Sequence, residues 1–372
     1  MGKVNISSLE PGMKIGRTIY GARGEMLIRK GVELTPGHIR KLAQLEVSFV
    51  FIDDESAPGT VIPKIVVKDV IADQTRLAAV QQVKNILLET KESGRLVIDP
   101  QTVYKTVNNF TDELLSSSSI MVNLVELRSQ DDYTFAHSVN VCVLALMTGI
   151  TLELDKKELG VLGVGALLHD LGKVKVPDEI LNKPGTLTKE EFKIMKKHTY
   201  YGHELIQRAK GFEDTHALIA CQHHECYNGS GYPLGIKENE FNEFSQIVAI
   251  SDKFDALTAN RVYRNAFPPH EAYEMCAASG NFWFKDHIVK AFLHNIAAYP
   301  SGTFIELNDR RVATVIDTPK GLSMFPRVRV LFNKNRRLLS APQEIPLSEQ
   351  SDLYISRSLS TKEVQSLLES QG

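Results

Sequence analysis

The sequence predicts a mainly α-helical protein with a small β-rich segment at each end. Apolar residues in the middle of the chain recur at three- and four-residue steps, as in Leu159, Leu162 and Ala166, which is the period of a buried helix face. Short runs of β-branched and aromatic residues stand instead at 47–52 and after residue 302. These observations favour a helical central domain between two smaller β-rich parts.

Changes in this pattern divide the chain into four segments. With 372 residues, and roughly 150 residues per domain, two or three folded domains are expected. Residues 1–52 form a small β-rich domain with a short helix from Pro36 to Leu45. An acidic stretch followed by Pro and Gly then predicts a linker. This linker and the helical connector after it span residues 53–125. Residues 126–298 form the helical domain, and residues 299–372 form a β-rich extension.

Local signals mark individual elements in the last two segments. Asp155-x-x-Glu158 and Thr188-x-x-Glu191 have the form of capping boxes, which satisfy backbone N–H groups at the start of a helix. In the carboxyl-terminal segment, three runs rich in β-branched residues predict strands joined by turns: 303–307, 312–316 and 327–331.

Composition argues against several classes of function. Hydrophobic residues make up 43% of the chain, charged residues 24%, and the formal net charge is −2, which is ordinary for a soluble globular protein. Near-neutrality argues against a dominant surface for nucleic acid or membrane, so local charge must hold any anionic ligand. No apolar run approaches the roughly 20 residues of a transmembrane helix. The four cysteines form no CxxC pair, which indicates a reducing, cytoplasmic compartment.

Seven side chains in the central domain are candidate metal ligands. Taken alone, a histidine on an apolar helix face is more often a packed core residue, but these seven stand on at least five predicted segments. Imidazoles and carboxylates converging on one pocket make the mixed nitrogen and oxygen shell that divalent cations bind. The candidates are His137, His169, Asp170, His198, His223, His224 and Asp252. The other histidines match no part of this pattern and are assigned structural roles: His38, His203, His216, His270, His287 and His294.

Two further features could bind a ligand beside these residues. The run 229–233, Gly-Ser-Gly-Tyr-Pro, predicts a loop that shapes the mouth of the pocket and presents Tyr232, with a plain connecting loop as the less favoured alternative. Arg261 and Arg264 are three residues apart and could grip phosphate oxygens together, since guanidinium groups favour bidentate contacts with phosphate. Without context, each arginine is more often a solvated surface charge.

Together these motifs resemble the HD-GYP domain, the phosphodiesterase branch of the HD phosphohydrolase superfamily, which degrades cyclic di-GMP in bacteria. The resemblance covers about residues 126–298. It rests on seven motifs: Asp132-Tyr133-Thr134-x-x-His137-Ser138, Leu167-Leu168-His169-Asp170-x-Gly172-Lys173, Pro177-Asp178-Glu179-Ile180-Leu181, Lys183-Pro184-Gly185-x-Leu187-Thr188, His223-His224-Glu225, Gly229-Ser230-Gly231-Tyr232-Pro233 and Asp252-x-Phe254-Asp255-Ala256-Leu257-Thr258. It implies an HD-type helical catalytic domain.

The resemblance also implies a division of the ligands between two ions of iron or manganese. One ion is held by His137, His169, Asp170 and Asp252, the other by His198, His223 and His224, and the carboxylate of Asp170 bridges them. Tyr133 stands where some members carry the glutamate that binds a third metal, so the resemblance implies a dinuclear centre. Lys173, Arg261 and Arg264 match positions that contact the substrate phosphates, and Tyr232 joins them at the substrate.

This chain departs from the family at the rim of the site. Asn228 replaces an aspartate that many relatives carry, Val262 replaces a proline, and Asn260 replaces an acid. These changes are expected to retune the substrate rim without disabling the chemistry. The first 52 residues resemble, more weakly, a β-rich segment often found ahead of such domains.

The function implied is metal-dependent hydrolysis of cyclic di-GMP to linear pGpG and on to GMP, with Asp170 and Lys173 as catalytic residues. The partners implied are cyclic di-GMP and signalling proteins such as a diguanylate cyclase, with no nucleic acid. Two alternatives stay open: a cyclic di-GMP receptor or adaptor that acts through partner binding, and an enzyme for another cyclic dinucleotide or a nucleotide monoester.

Overall fold

The computed structural model describes residues 2–6, 9–16, 18–20, 26–44, 49–53, 70–116, 133–259 and 266–370. The described chain forms two compact units. A helical unit contains residues 70–116 and 134–296, and a β-rich unit contains the described residues before 54 together with 297–370. The predicted fold class, mainly α with small β parts at both ends, is confirmed. Both helices of the expected connector belong to the same unit as the candidate ligands.

The amino-terminal part of the β-rich unit holds a small antiparallel sheet and one helix. The sheet has the strand order β1-β5-β2, and β3 pairs with β4 in a separate hairpin. Apolar side chains such as Ile15, Leu34, Leu42 and Ile52 fill its core. The elements are β1 Gly2–Asn5, β2 Lys14–Ile15, β3 Ile19–Tyr20, β4 Met26–Ile28, α1 Pro36–Gln44 and β5 Phe49–Asp53. The short helix expected from Pro36 is confirmed, and the linker expected at 53–59 lies almost wholly outside the described residues.

Eleven α-helices are described in the helical unit. They are α2 Asp73–Ser93, α3 Pro100–Ser116, α4 Tyr133–Thr151, α5 Lys156–Leu168, α6 Asp178–Leu181, α7 Lys189–Lys196, α8 His198–Gln207, α9 Asp214–Gln222, α10 Glu243–Thr258, α11 Pro269–Ala277 and α12 Asp286–Leu293. A 3-10 helix, Leu171–Lys175, follows α5. Both predicted capping boxes are present, because Asp155 and Thr188 each accept a hydrogen bond from the backbone of the glutamate three residues on.

Helix α5 is the centre of this unit. Every residue from Leu159 to Leu168 is buried, as expected of a helix that is apolar on all sides. Its glycines admit neighbouring helices closely: a Cβ at Gly163 would lie 2.4 Å from Val107 of α3, and one at Gly165 would lie 2.3 Å from Ile219 of α9. Close packing of α9 on α5 brings together the carboxyl-terminal ends of two helices that carry candidate ligands.

The carboxyl-terminal part of the β-rich unit is a five-stranded antiparallel sheet with one helix. The strand order is β10-β6-β7-β8-β9. Its elements are β6 Phe304–Leu307, β7 Val312–Asp317, β8 Arg327–Phe332, β9 Leu338–Pro346, β10 Ile355–Leu359 and α13 Thr361–Glu369. The three predicted strands are confirmed, and they are the three inner strands. The sequence did not predict β9, β10 or α13. Strand β9 is an edge strand, largely exposed and containing proline, so it lacks the alternating apolar pattern.

Candidate metal centre

The seven candidate ligands converge at one place in the helical unit. Their donor atoms form two groups, and within each group the atoms lie no more than 4.8 Å apart. One group is Asp170, His198, His223 and His224; the other is His137, His169 and Asp252. All are buried except His224, whose side chain is 26% exposed. Five separate elements therefore contribute to one pocket: α4, the end of α5, the start of α8, the end of α9, and α10.

Asp170 lies between the two groups and turns one carboxylate oxygen toward each. Oδ1 is 3.5 Å from Nε2 of His198 and 3.7 Å from Nε2 of His223. Oδ2 is 3.4 Å from Nε2 of His169 and 3.7 Å from Nε2 of His137. A carboxylate in this position can contribute one oxygen to each of two cations.

Three histidines each contact the backbone carbonyl three residues earlier, in the last turn of the preceding helix. Nδ1 of His169 lies 2.7 Å from the carbonyl of Ala166, Nδ1 of His198 lies 2.8 Å from that of Met195, and His223 makes the same contact three residues back at 2.9 Å. Because a carbonyl can only accept, each Nδ1 carries the proton and each Nε2 keeps its lone pair. Carbonyls in the last turn of a helix are available for such bonds, so the helix ends set the tautomer.

His137 is oriented by a carboxylate instead. Its Nδ1 lies 2.7 Å from Oδ2 of Asp255, and Oδ1 of Asp255 accepts a hydrogen bond from Asn140 at 3.0 Å. Asn140 in turn accepts from a guanidinium nitrogen of Arg76 on α2 at 2.9 Å. On its other side, Nε2 of His137 faces Asp252 Oδ1 at 3.1 Å. A chain of polar contacts therefore leads from α2 to this candidate ligand.

Electrostatics keep most of these groups in the form that binds cations. Burial lowers the pKa of His198 to about 3, and burial likewise lowers the pKa values of His223 and His224, so the three rings are neutral. Burial alone would raise the pKa of Asp170, but the charge of Lys173, whose Nζ is 2.5 Å away, and the nearby histidines hold that pKa well below its usual range. Neutral imidazoles and ionised carboxylates are the metal-binding forms.

His137 has the opposite electrostatic environment. Burial lowers its pKa, but hydrogen bonds to Asp252 and Asp255 and their charges outweigh it and raise the pKa to about 9. Burial also opposes ionisation of Asp252, yet His137 lowers the pKa of that carboxyl. The negative charge concentrated here would equally favour a divalent cation.

The hydrogen bonding of two atoms at the centre of the cluster indicates whether these residues fit a metal. Nε2 of His169 and Oδ1 of Asp170 are buried and make no hydrogen bond with any described residue. Leaving buried polar atoms unsatisfied is costly, and a cation bound to them would remove that cost. The residues therefore fit divalent metal ions.

The loop 229–233 is anchored by the glutamate that follows the histidine pair. Glu225 is only 1% exposed, and its carboxylate accepts hydrogen bonds from the backbone of Leu234 at 2.6 Å and Gly235 at 3.1 Å. A Cβ at Gly231 would lie 2.4 Å from the Cα of Glu225, so the loop lies directly against the end of α9. The sequence pattern contained Glu225 but did not predict this anchoring role.

The ring of Tyr232 packs against the imidazole of His224, one of the candidate ligands. The backbone N–H of Tyr232 donates to the carbonyl of His224 at 3.0 Å, and the two rings are 4.7 Å apart with an angle of 31° between their planes. The Tyr232-Pro233 peptide bond is cis. Burial raises the pKa of the Tyr232 hydroxyl, and the charges of Asp252 and Asp170 raise it further, so the hydroxyl is a hydrogen-bond donor at neutral pH. Asn228, a departure from the family pattern, accepts bonds from the backbone and hydroxyl of Ser230 within this loop.

Not every expected site residue lies in the described part of the chain. Lys173 does, but Arg261 and Arg264 fall within 260–265, outside the described residues, as do the departures at 260 and 262. The backbone of Tyr133 begins α4, while its side chain is not described.

Sequence reasoning missed Asp255 and Asn140 as supports of His137. Asp255 is three residues after Asp252, which places both carboxylates on one face of α10, so its spacing was a usable signal. Asn140 is likewise three residues after His137 on α4. The partner of each could not be read from the sequence, because the contact joins two helices that are far apart in the chain.

Comparison with known proteins agrees with this geometry. Residues 118–287 match the HD domain family, and residues 304–367 match the KOW domain associated with HD domain. The second match corresponds to the carboxyl-terminal sheet and helix. Among the described residues, no helix combines the length and apolar character that crossing a membrane requires.

Two curated relatives are cyclic di-GMP phosphodiesterases. The protein from Pseudomonas aeruginosa is 31% identical over 253 residues, covering 68% of this chain and 59% of the relative. The protein from Thermotoga maritima is 34% identical over 200 residues, covering 54% of this chain and 54% of the relative. This chain thus spans little more than half the length of these relatives.

A solved structure shares the fold. An HDG"Y"P protein from Bdellovibrio bacteriovorus aligns with a TM-score of 0.51 and 19% identity, over 78% of this chain and 97% of that chain. At this identity the similarity concerns the fold alone.

Proposed function

This chain belongs to the HD-GYP family of HD-domain proteins, and we propose on that basis that it hydrolyses a phosphodiester bond of cyclic di-GMP in a metal-dependent reaction. The position of Asp170 carries the proposal. Its carboxylate turns one oxygen toward each of the two groups of histidines. Names of the two curated relatives support the choice of substrate.

The proposed ligands are the seven residues of the cluster. His137, His169 and Asp252 would hold one ion, and His198, His223 and His224 the other, with Asp170 shared between them. Held there, two divalent ions would lower the pKa of a water for attack and would neutralise charge on the phosphate. Iron or manganese is proposed because a mixed shell of imidazole and carboxylate suits both.

The chain's own residues bind and orient the substrate in this proposal. Lys173, partly exposed beside Asp170, supplies a positive charge for the non-bridging oxygens of the scissile phosphate. Tyr232 donates a hydrogen bond from its hydroxyl to the substrate, and Arg261 and Arg264 are proposed as further phosphate contacts. One water molecule is consumed for each bond broken. The phosphorus–O3′ bond breaks, and the product is linear pGpG with a 5′-phosphate and a free 3′-hydroxyl; a second hydrolysis gives GMP.

Anaerobic purification with metal analysis, followed by liquid chromatography of cyclic di-GMP digests, tests the proposal. We expect two equivalents of iron or manganese and the product pGpG or GMP. The Asp170→Ala variant should lose both metals and activity, because the shared carboxylate is removed. His203→Ala is the matched control, since His203 lies on α8 with His198 but outside the cluster.

The same digests separate the alternatives. Bound metal without cleavage, under iron and manganese alike, would overturn the enzyme proposal and favour a receptor that binds cyclic di-GMP without turning it over. Cleavage of a different cyclic dinucleotide or of a nucleotide monoester would keep the chemistry and replace the substrate.

Residues 126–298 are proposed to carry the catalysis, with residues 1–52 and 299–372 as flanking domains separated by the segment 53–125. A diguanylate cyclase or another signalling protein is a proposed partner. The free state of all four cysteines supports a reducing, cytoplasmic location.

A further inference from the structure

Beside the metal centre, one ammonium group is held between two aromatic rings. Nζ of Lys196 lies 4.9 Å from the ring centroid of Phe192 and 4.7 Å from that of Tyr232. The two rings meet edge to face, with centroids 6.0 Å apart. Lys196 and Phe192 come from α7, whereas Tyr232 comes from the loop 229–233. Two separate segments therefore position this charge.

The position of Lys196 relative to the candidate ligands follows from two consecutive contacts. Its ammonium is 4.7 Å from the centroid of the Tyr232 ring, and that ring is 4.7 Å from the centroid of the His224 imidazole. Phe192 is 43% exposed, and Lys196 is partly exposed. The ammonium therefore lies at the solvent side of the centre, one aromatic ring away from a candidate ligand.

The charge of Lys196 is not neutralised by a carboxylate. Among the described residues no acidic group forms an ion pair with it, whereas nearby Lys183 is paired with Glu191 at 2.6 Å. Aromatic faces attract a cation without cancelling its charge. An ammonium held in this way remains available to an incoming anion.

The alternative to anion binding is a purely structural role for Lys196 in α7. Phe192 and Lys196 are four residues apart on one helix, a common stabilising spacing, and a basic residue in the last turn favours the helix dipole. Lys193 lies in the same turn and would serve the dipole equally. Neither effect requires Tyr232, which arrives from a different segment.

We propose that Lys196 binds the second, uncleaved phosphate of the cyclic dinucleotide. This rests on the proposed function. A cyclic dinucleotide carries two phosphates on opposite sides of its macrocycle, and only one can occupy the metal centre at a time. The other brings a negative charge to the surroundings of the centre, where a cation outside the metal shell would stabilise it. Lys196 supplies that cation, and the rings of Phe192 and Tyr232 hold it in place.

Three variants and two substrates test the role of Lys196. Lys196→Met removes the ammonium and keeps most of the side-chain volume, Lys196→Arg restores a cation, and Lys193→Met removes a charge from the same turn of α7. Cyclic di-GMP carries two phosphates, whereas bis(p-nitrophenyl) phosphate is a diester with only one. Steady-state kinetics with both substrates, thermal melts and metal content are measured for each protein.

We expect Lys196→Met to raise KM for cyclic di-GMP by roughly tenfold or more, the scale of one charge-assisted contact. It should leave hydrolysis of the single diester, the melting temperature and the metal content unchanged. Lys196→Arg should recover most of the loss, and Lys193→Met should behave as wild type.

Other outcomes overturn the inference in distinguishable ways. Equal losses on both substrates would assign Lys196 to the scissile phosphate or to folding, and equal effects of Lys193→Met would reduce it to general surface charge. Wild-type protein that cleaves the single diester but neither binds nor cleaves cyclic di-GMP would refute the proposed function, and the role of Lys196 with it.

Discussion

Nδ1 of His137 and Oδ2 of Asp255 lie 2.7 Å apart and join α4 to α10 inside the helical unit. Because a carboxylate can only accept, this contact places the proton on Nδ1 and turns Nε2 toward Asp252 and Asp170. Asp255 is itself fully buried, and its other oxygen accepts a hydrogen bond from Asn140, so this carboxylate is held in place to orient His137.

Replacing Asp255 should therefore weaken metal binding without removing a ligand. We expect Asp255→Asn to lower metal affinity about 10- to 100-fold, the usual effect of losing the partner of a metal-bound histidine. Competition with a fluorescent chelator measures it. Asp286→Asn, an exposed aspartate that begins α12, is the control. Unchanged metal affinity in Asp255→Asn would show that packing alone orients His137.

Glu225 should affect the substrate more than the metals. Its carboxylate accepts backbone hydrogen bonds from Leu234 and Gly235, and Glu225→Gln would replace one acceptor with an NH2 group facing those donors. We expect a looser loop around Tyr232, a KM for cyclic di-GMP raised several-fold, and unchanged metal content. Kinetics and metal analysis on the same preparation check this, with exposed Glu240→Gln as the control. Loss of metal together with activity would instead make Glu225 part of the centre's scaffold.

Gly172 allows the 3-10 helix after Asp170 to touch the start of α8. A Cβ there would lie 1.9 Å from the carbonyl oxygen of His198 and 2.4 Å from the backbone nitrogen of Gly202, and neither atom belongs to a flexible side chain. We expect Gly172→Ala to cost about 3 kcal/mol or more in the free energy of unfolding and to separate Asp170 from His198. Urea denaturation measures the loss.

The control is Gly37→Ala on α1, where the added Cβ would make an ordinary 3.6 Å contact with Thr35. That change should be neutral or slightly stabilising, because alanine favours a helix over glycine. A Gly172→Ala protein as stable as wild type would mean that the 3-10 helix and α8 separate at little cost.

His216 should make the folded protein sensitive to mild acid. It is fully buried, its Nδ1 accepts the backbone N–H of Glu213, and burial lowers its pKa to about 4. Between pH 6.5 and 4 the unfolded chain binds a proton at this position that the folded chain does not, so stability falls as pH falls. The loss is up to about 3 kcal/mol over the window at roughly 1.4 kcal/mol per pH unit.

The His216→Asn variant keeps an acceptor near Nδ1 and removes the titrating ring. We expect a flatter dependence of unfolding free energy on pH than in wild type between pH 6.5 and 4, while the two slopes coincide above pH 7.5. Denaturation curves at five pH values give the comparison. Parallel curves across the whole range would contradict a buried neutral His216.

The sequence by itself determined the fold class, both capping boxes and three strands, because each of these depends on local period and on residues a few positions apart. It also identified the seven candidate ligands that lie together in the structure. Each could be recognised separately, because histidine and aspartate are unusual on apolar helix faces. The edge strand β9 was not predicted, because an exposed strand that contains proline lacks an alternating apolar pattern.

Only the tertiary structure decided how closely the candidate ligands approach one another and which residues support them. The two oxygens of Asp170, the pairing of His137 with Asp255, and the approach of Lys196 to Tyr232 all connect segments that are separated in the chain. Such contacts depend on how α5 packs against its neighbours, where glycines at two positions admit α3 and α9 at close range. Packing of this kind is a property of the whole unit, and no local pattern encodes it.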